Sequence, residues 1–349
     1  MTDGSSKDLS SGWNQLQDPS GSDNVTFYTI ANARYFLGLV ALLNSLRLVG
    51  HSETLVVLDC GLTEVQRSLL SPHCQLVEMP KQLASNPTLF KPFPYLVKPE
   101  GTVVIIDSDM IVTRSLTSIL SQAADGKICA FPDPESDRWF SEWQSLFELT
   151  QELRRQVYAN AGFVVFSTEY WPNLLSDWWQ ACHKILSHPT IAEGVKDGPS
   201  AQADQDALNA LLMSVIPTEA LALQPIQEES YRDFQTVEVV DEKTLACRYQ
   251  NHSTTILHCC SSPKSWETQA LSEVGYHNAY VRLLRRLVGG ENIALRLPSK
   301  QLPIWLRPGI SGSLAFQSLD QFNQWVRPFF RVVKRSITFK SVTPIQRLS

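Results

Sequence analysis

No run of apolar residues in this 349-residue chain approaches the ~20 that a membrane-spanning helix needs. Its first residues also lack the charged start and the ~7–15 residue apolar stretch of a signal peptide, so a cytosolic chain is expected. The seven cysteines include no C-x-x-C spacing, and the adjacent Cys259 and Cys260 are too close for an ordinary bridge, which reads as reduced thiols. Without a secretory route, the glycosylation sequons at Asn24 and Asn251 carry no weight. There is no internal repeat. Low complexity is confined to the start, where "MTDGSSKDLSSGWNQLQDPSGSDN" has too few apolar residues to order itself, so residues 1–23 read as a loose arm.

Strong net charge is missing too, but the value of −5 hides an asymmetry. From Val281 onward there are twelve Lys and Arg against Glu291 and Asp320, so the tail carries +10 and the rest −15. The 43% apolar content and nine Trp are ample for a sizeable core. The patterning then alternates. "VTFYTI" reads as a strand, "ARYFLGLVALLNSLRLV" has helical apolar spacing, "TLVVLDC" is a second strand, and "TEVQRSLL" opens on a Thr cap. Strand, helix, strand, helix predicts a parallel sheet with crossover helices. "CQLVEM", "TVVIID", "KICAF" and "NAGFVVFS" read as further short strands, with helices over 115–122, "YWPNLLSDWWQACHKIL" and 203–215. Residues 217–257 read as short strands and loops before "TTILHCC".

"VVIIDSDMIV" sets Asp107 and Asp109 at the carboxyl end of an apolar strand, where open α/β sheets bind ligands. Residues two apart on a strand share a face, so both carboxylates can converge on one point. Side by side they repel unless a cation neutralises them. A hard divalent ion, Mn²⁺ or Mg²⁺, suits such oxygens, and a diphosphate is the natural other half of the site. A phosphatase of the haloacid dehalogenase type also carries D-x-D after a strand, but it continues to Thr where this chain has Ile111.

"IIDSDMIVTRSL", "NAGFVVFS" followed by "TEYW", "ADQDALNALL" and "HCCSSPKSW" together resemble the D-x-D, N-[AS]-G, D-Q-D-x-L-N and H-x-x-G-x-x-K-P-W segments of glycosyltransferase family 8, in that family's order. The resemblance spans residues 25–270 and implies an α/β fold of the GT-A type, a Rossmann-like, mostly parallel sheet flanked by helices, with a basic C-terminal extension. It implies a metal-dependent retaining hexosyltransferase using a nucleotide sugar, by family expectation a UDP-sugar, and a glycan, lipid-linked or small hydroxylated acceptor. By the same resemblance Asp107, Asp109 and His258 are the metal ligands, with Ser108 between the first two among the donor contacts. Lys264 matches the lysine of the diphosphate, and Trp266 packs its loop. Asn32 and Tyr35 fall where the nucleobase and ribose are held, and Lys91 falls near the sugar phosphates. Asn160 lines the sugar pocket, and Asp204 and Gln205 face the donor sugar and its reacting carbon. From the residues alone, "ADQDALNALL" reads as a solvent-facing helix start, and Asp206 keeps that reading, placed near the positive end of the helix dipole. Ser261 and Ser265 depart from the family's Gly and Pro.

Retention calls for attack from the face the nucleotide leaves, and Gln205 is a poor nucleophile, so the resemblance favours a front-side route over a covalent one. Three segments are expected: the arm 1–23, a catalytic domain 24–280 and a basic, aromatic extension 281–349. "FNQWVRPFFRVVKRSITFK" interleaves aromatic and cationic residues, which fits contact with an anionic bilayer from the cytoplasmic side; packing back on the acidic domain is the other expectation. The acidic main body argues against nucleic acid. A sugar nucleotidyltransferase and an inactive nucleotide-binding scaffold are the alternative functions. The first usually carries a Gly-rich basic loop that "YTIANARYFLG" lacks.

Overall fold

A computed structural model describes residues 25–79, 87–187, 197–231, 234, 236–260, 262–267, 279–309 and 314. Strands β1 (Val25–Ala31), β2 (Thr54–Asp59) and β3 (Gln75–Glu78) alternate with helices α1 (Phe36–Leu48) and α2 (Glu64–Leu70). The Thr63 cap closes a capping box whose return partner is Gln66, one hydroxyl and one amide each satisfying a backbone N–H. The short α3 (Pro94–Val97) precedes β4 (Thr102–Ile106) and β5 (Met110–Val112). Helix α4 (Thr117–Ala124), strand β6 (Ile128–Pro132), helix α5 (Trp143–Leu146) and strand β7 (Ala159–Ser167) follow.

The central seven-stranded sheet runs β3-β2-β1-β4-β7-β6, ending on β8 (Leu221–Leu223). It is parallel throughout except at β7, which lies antiparallel to both β4 and β6. That one reversal gives the mostly parallel sheet that the family resemblance implies, where strand–helix alternation by itself predicts parallel neighbours. It follows from the long excursion of residues 133–158, which brings the chain back along the sheet in the opposite sense. β4 and β7 are buried along their whole length, which is why they read as continuous apolar runs rather than alternating ones.

Helices α6 (Leu174–Ser187) and α7 (Asp204–Leu212) pack on one face of this sheet; α1, α4 and α8 (Ala279–Gly289) share the core on the other. Two three-stranded sheets complete the fold. One is built of β5, β9 (Glu229–Tyr231) and β13 (Ile256–His258), the other of β10 (Glu238–Asp241), β11 (Ala246–Tyr249) and β12 (His252–Ser253). Leu283, Leu284 and Leu287 of α8 are fully buried against α1, and the Asn44 amide of α1 donates to the carbonyls of Leu287 and Leu295. The boundary expected at residue 280 therefore falls inside a core helix. The arm 1–23 and most of the extension 281–349, beyond 309, lie outside the described residues, apart from Leu314. No helix among the described residues is long and apolar enough to cross a membrane, and no disulfide links the cysteines.

Candidate active site

β4 stops at Ile106, so Asp107, Ser108 and Asp109 form a turn rather than the strand end that face-sharing alternation assumes. The convergence survives for another reason. The turn is pinned at both ends: Asp107 N–H donates to Gly162 O on β7 (2.8 Å), and Met110 N–H donates to Asp107 O (3.1 Å). Antiparallel pairing of β5 with β13 then sets His258 directly opposite Met110. The imidazole Nε2 lies 3.6 Å from Asp107 Oδ2 and 3.5 Å from Asp109 Oδ1, and the three potential ligand atoms fit within 4.8 Å of one another. The other ring nitrogen, Nδ1, is 3.0 Å from Glu229 Oε1 on β9, the parallel neighbour of β13. Burial disfavours a charged imidazole here, but the Glu229 hydrogen bond and the charges of Asp109, Glu229 and Asp107 outweigh it and raise the His258 pKa. Gly162 makes room for this ring: a Cβ there would sit 2.7 Å from His258 Cε1.

Each carboxylate of the pair also has its own lysine. Lys264 Nζ lies 2.5 Å from Asp109 Oδ2 and donates to Cys259 O at 2.7 Å, with the ammonium 5.1 Å from the centre of the Tyr35 ring. Burial works against its charge, yet Asp109 overrides this and pushes the Lys264 pKa up to about 12. Lys91 Nζ bridges Asp107 Oδ1 (2.9 Å) and Asp204 Oδ2 (3.0 Å) and donates to Ala161 O (3.2 Å). Burial pushes the Asp204 carboxyl up to about 6, with Lys91 opposing and Asp107 reinforcing the shift.

Asp204 and Gln205 stand at the start of α7, preceded by Ala203 at a left-handed φ of 49°. The Gln205 amide is held at both ends, accepting from Ala161 N–H (2.9 Å) and donating to Asp133 Oδ2 (3.0 Å). Asn160 accepts from Gly162 N–H (2.7 Å) and reaches the same Asp133 oxygen at 3.4 Å. The solvent-facing reading of this helix start fails at Asp206, which is fully buried. Its carboxylate accepts from Arg138 through both oxygens (2.7 and 2.8 Å), from Tyr158 OH (2.7 Å) and from Gln202 N–H (2.8 Å). An ion pair with a residue 68 positions away, not the helix dipole, explains that aspartate.

At the other end of the site, Asn32 caps a short 3₁₀ turn over Ala33–Tyr35, its side-chain oxygen accepting from Arg34 N–H and Tyr35 N–H. This turn is stitched to the Lys264 loop. Arg34 and Glu267 pair through two contacts (2.5 and 2.9 Å), Lys264 N–H donates to Glu267 (2.7 Å), and the buried Trp266 donates its indole N–H to Arg34 O (2.8 Å). Ser265 is buried, its hydroxyl 3.1 Å from Cys259 Sγ; Ser261 lies outside the described residues.

Asn32, Tyr35, Lys91, Asp107, Ser108, Asp109, Asn160, Asp204, Gln205, His258 and Lys264 all line one cleft of about 510 Å³. Sequence reasoning missed Glu229, Asp133 and Tyr280, whose hydroxyl donates to Asp109 O (2.9 Å). Asp133 follows the end of β6, so an acidic residue beyond a strand's carboxyl end was a readable signal there. Glu229 and Tyr280 reach the site only through strand pairing and helix docking, which leave no local motif.

A mostly parallel sheet carrying a D-x-D turn at its carboxyl edge, with helices on both faces, is the GT-A architecture. Among solved structures the chain is similar to the apo form of the bifunctional glycosyltransferase WbbM, with TM-score 0.52 and 17% identity over 80% of this chain and 51% of that one. It thus spans about half the length of that protein. It is also similar to the galactosyltransferase LgtC in complex with donor and acceptor sugar analogs (TM-score 0.48, 14% identity, 79% and 98% covered). The apo-form glycosyltransferase GlyE of Streptococcus pneumoniae TIGR4 follows at TM-score 0.46 and 16% identity, with 71% and 57% covered. At 17% identity the likeness to WbbM is one of fold. No protein-family model and no curated protein matches the sequence.

Proposed function

We propose that this chain is a metal-dependent retaining glycosyltransferase that moves a hexose from a nucleotide sugar, a UDP-sugar, to a glycan, lipid-linked or small hydroxylated acceptor. The observation that carries the reading is the meeting of Asp107, Asp109 and His258 in the cleft that also holds Asp204 and Gln205. Two carboxylates and one imidazole suit Mn²⁺ or Mg²⁺, and the Glu229 hydrogen bond at Nδ1 leaves Nε2 facing the two aspartates, the orientation a ligand needs. When bound there, a divalent ion supplies Lewis-acid stabilisation of the charge that builds on the departing diphosphate.

The chain's own residues supply the rest. Lys264 offers a second positive charge to the diphosphate oxygens, and the Arg34–Glu267 pair holds its loop against the turn of Asn32 and Tyr35. Lys91 fixes Asp204 for hydrogen bonding to sugar hydroxyls. The Gln205 amide, clamped by Asp133 and Ala161, shields the carbon on which positive charge develops. Neither end of that amide is a competent nucleophile, which supports front-side attack, with the acceptor's proton passing to the leaving phosphate oxygen. The excess of cations beyond Val281 supports a peripheral site on the cytoplasmic face of an anionic membrane.

The test is thermal stabilisation and UDP release across a panel of sugar nucleotides, with Mn²⁺, with Mg²⁺ and with chelator. Metal-dependent stabilisation by one donor, lost in Asp109→Ala, is the expected result. Equal stabilisation with chelator, or an unimpaired Asp109→Ala, would remove the metal from the reading. Metal-dependent nucleotide binding with no turnover on any acceptor would point instead to a scaffold.

A further inference from the structure

The cation site of this cleft already contains cations. Asp109 holds Lys264 Nζ at 2.5 Å, and Asp107 holds Lys91 Nζ at 2.9 Å, so each carboxylate of the D-x-D pair is neutralised by a separate ammonium. The two lysines differ in how they are held. Lys91 is locked among three oxygens, those of Asp107, Asp204 and Ala161. Lys264 has two oxygen partners, Asp109 and Cys259, and sits on the loop that the exposed Arg34–Glu267 pair fastens to the rim. Its compact charge rides on a flexible four-carbon stem, which suits a group that changes partners.

We propose that Lys264 is a resident counter-ion of Asp109, which makes the site select a divalent ion together with a diphosphate rather than the free ion. This rests on the metal-dependent reading above and concerns which species the site accepts. A free divalent ion has to compete with the Lys264 ammonium for Asp109. An incoming diphosphate offers that ammonium other oxygens, draws it off the carboxylate and leaves Asp109 open to the ion. The two ligands therefore bind cooperatively, and by linkage each raises the other's affinity by the same factor. Lys264 thus weakens binding of the ion alone while strengthening binding of the nucleotide, two effects of opposite sign from one side chain. A lysine that served only to hold the phosphates would produce the second and not the first.

The experiment is calorimetric titration of the full chain with Mn²⁺ alone, UDP alone, and Mn²⁺ at saturating UDP, for the wild type, Lys264→Gln and the surface control Lys184→Gln. In the wild type, UDP should tighten Mn²⁺ by a factor within the roughly 5- to 150-fold range of linked sites. In Lys264→Gln, Mn²⁺ alone should bind more tightly than to the wild type, UDP more weakly, and the linkage factor should fall to the part that direct attraction between ion and diphosphate supplies, with Lys184→Gln unchanged. Independent binding of Mn²⁺ and UDP to the wild type would overturn the proposal, and that arm needs no variant to fold. A Lys264→Gln chain that binds Mn²⁺ no more tightly than the wild type would overturn it as well. A wild type that binds neither Mn²⁺ nor UDP would instead remove the metal-dependent reading on which the proposal stands.

Discussion

Replacing Gly162 by alanine puts a methyl group where three side chains already meet. The new Cβ would lie 2.7 Å from His258 Cε1 and 2.8 Å from both Asn160 Oδ1 and Met110 Cε. Gly162 has no left-handed φ, so the substitution acts through space and not through backbone strain. Recovering an ordinary carbon contact of ~3.5–4.0 Å requires the imidazole to withdraw by about 1 Å. It cannot do so freely, because Nδ1 is tied to Glu229 and its backbone is paired on both sides. Overpacking of this kind costs about 1–3 kcal/mol. The larger effect falls on the ligand set: withdrawal of Nε2 from Asp107 and Asp109 should weaken divalent-ion binding by at least the ~10–100-fold that follows loss of an orienting partner. Thermal unfolding with and without Mn²⁺ and UDP, together with direct Mn²⁺ titration, reads both. A Gly162→Ala chain with unchanged melting temperature and unchanged Mn²⁺ affinity would refute the steric account of this position.

Arg138→Met should destabilise the chain by about 3–5 kcal/mol in denaturant titration, because it strands the fully buried Asp206 carboxylate. A loss below ~1 kcal/mol, the scale of a surface pair, would show that the pair is solvated. Asn44→Ala removes the partner of two carbonyls and of Leu295 N–H, at about 1–3 kcal/mol for each group left unsatisfied. An unchanged midpoint of unfolding would refute it. Since the folded-state pKa of Asp204 is raised to about 6, its contribution to stability is fully present below its unfolded value near ~4 and is lost as pH rises through about 6. Lys91→Met removes the cation that opposes this shift, so the loss should extend to higher pH; superimposable profiles of melting temperature against pH for wild type and variant would refute it. Vesicle co-sedimentation of the full chain against a chain ending at residue 309 tests the membrane contact, and equal pelleting would remove it.

The strands and most helices were legible because buried runs such as "VVII" and "NAGFVVFS" leave few alternatives to a covered sheet. The reversal of β7 was not, because a strand's composition does not record its direction. At the site, the cleft residues from Asp107 to Lys264 named above could be picked out because four short motifs recur together in one order. What they touch could not. Lys264 reads equally as a solvated surface lysine or a phosphate contact, and its pairing with Asp109 follows from docking of a loop 155 positions away. Asp206 shows the same limit from the other side. A helix-start aspartate looks locally complete, and only the excursion after β6 brings Arg138 to it.

The docking of α8 also bears on the order in which the chain can assemble during synthesis. α1 is made before α8, yet part of the surface it buries is supplied by α8, and Asn44 waits for Leu287 and Leu295 before its amide is satisfied. β1, β2 and β4 can pair as they emerge and α1 can cover one face of their sheet, but the side of α1 that meets α8 stays open until α8 has been made. Contacts that span so much sequence close late, and until they do the apolar side of α1 that meets α8 is exposed. Removal of α8 should therefore leave a half-built core prone to aggregation rather than a smaller folded domain.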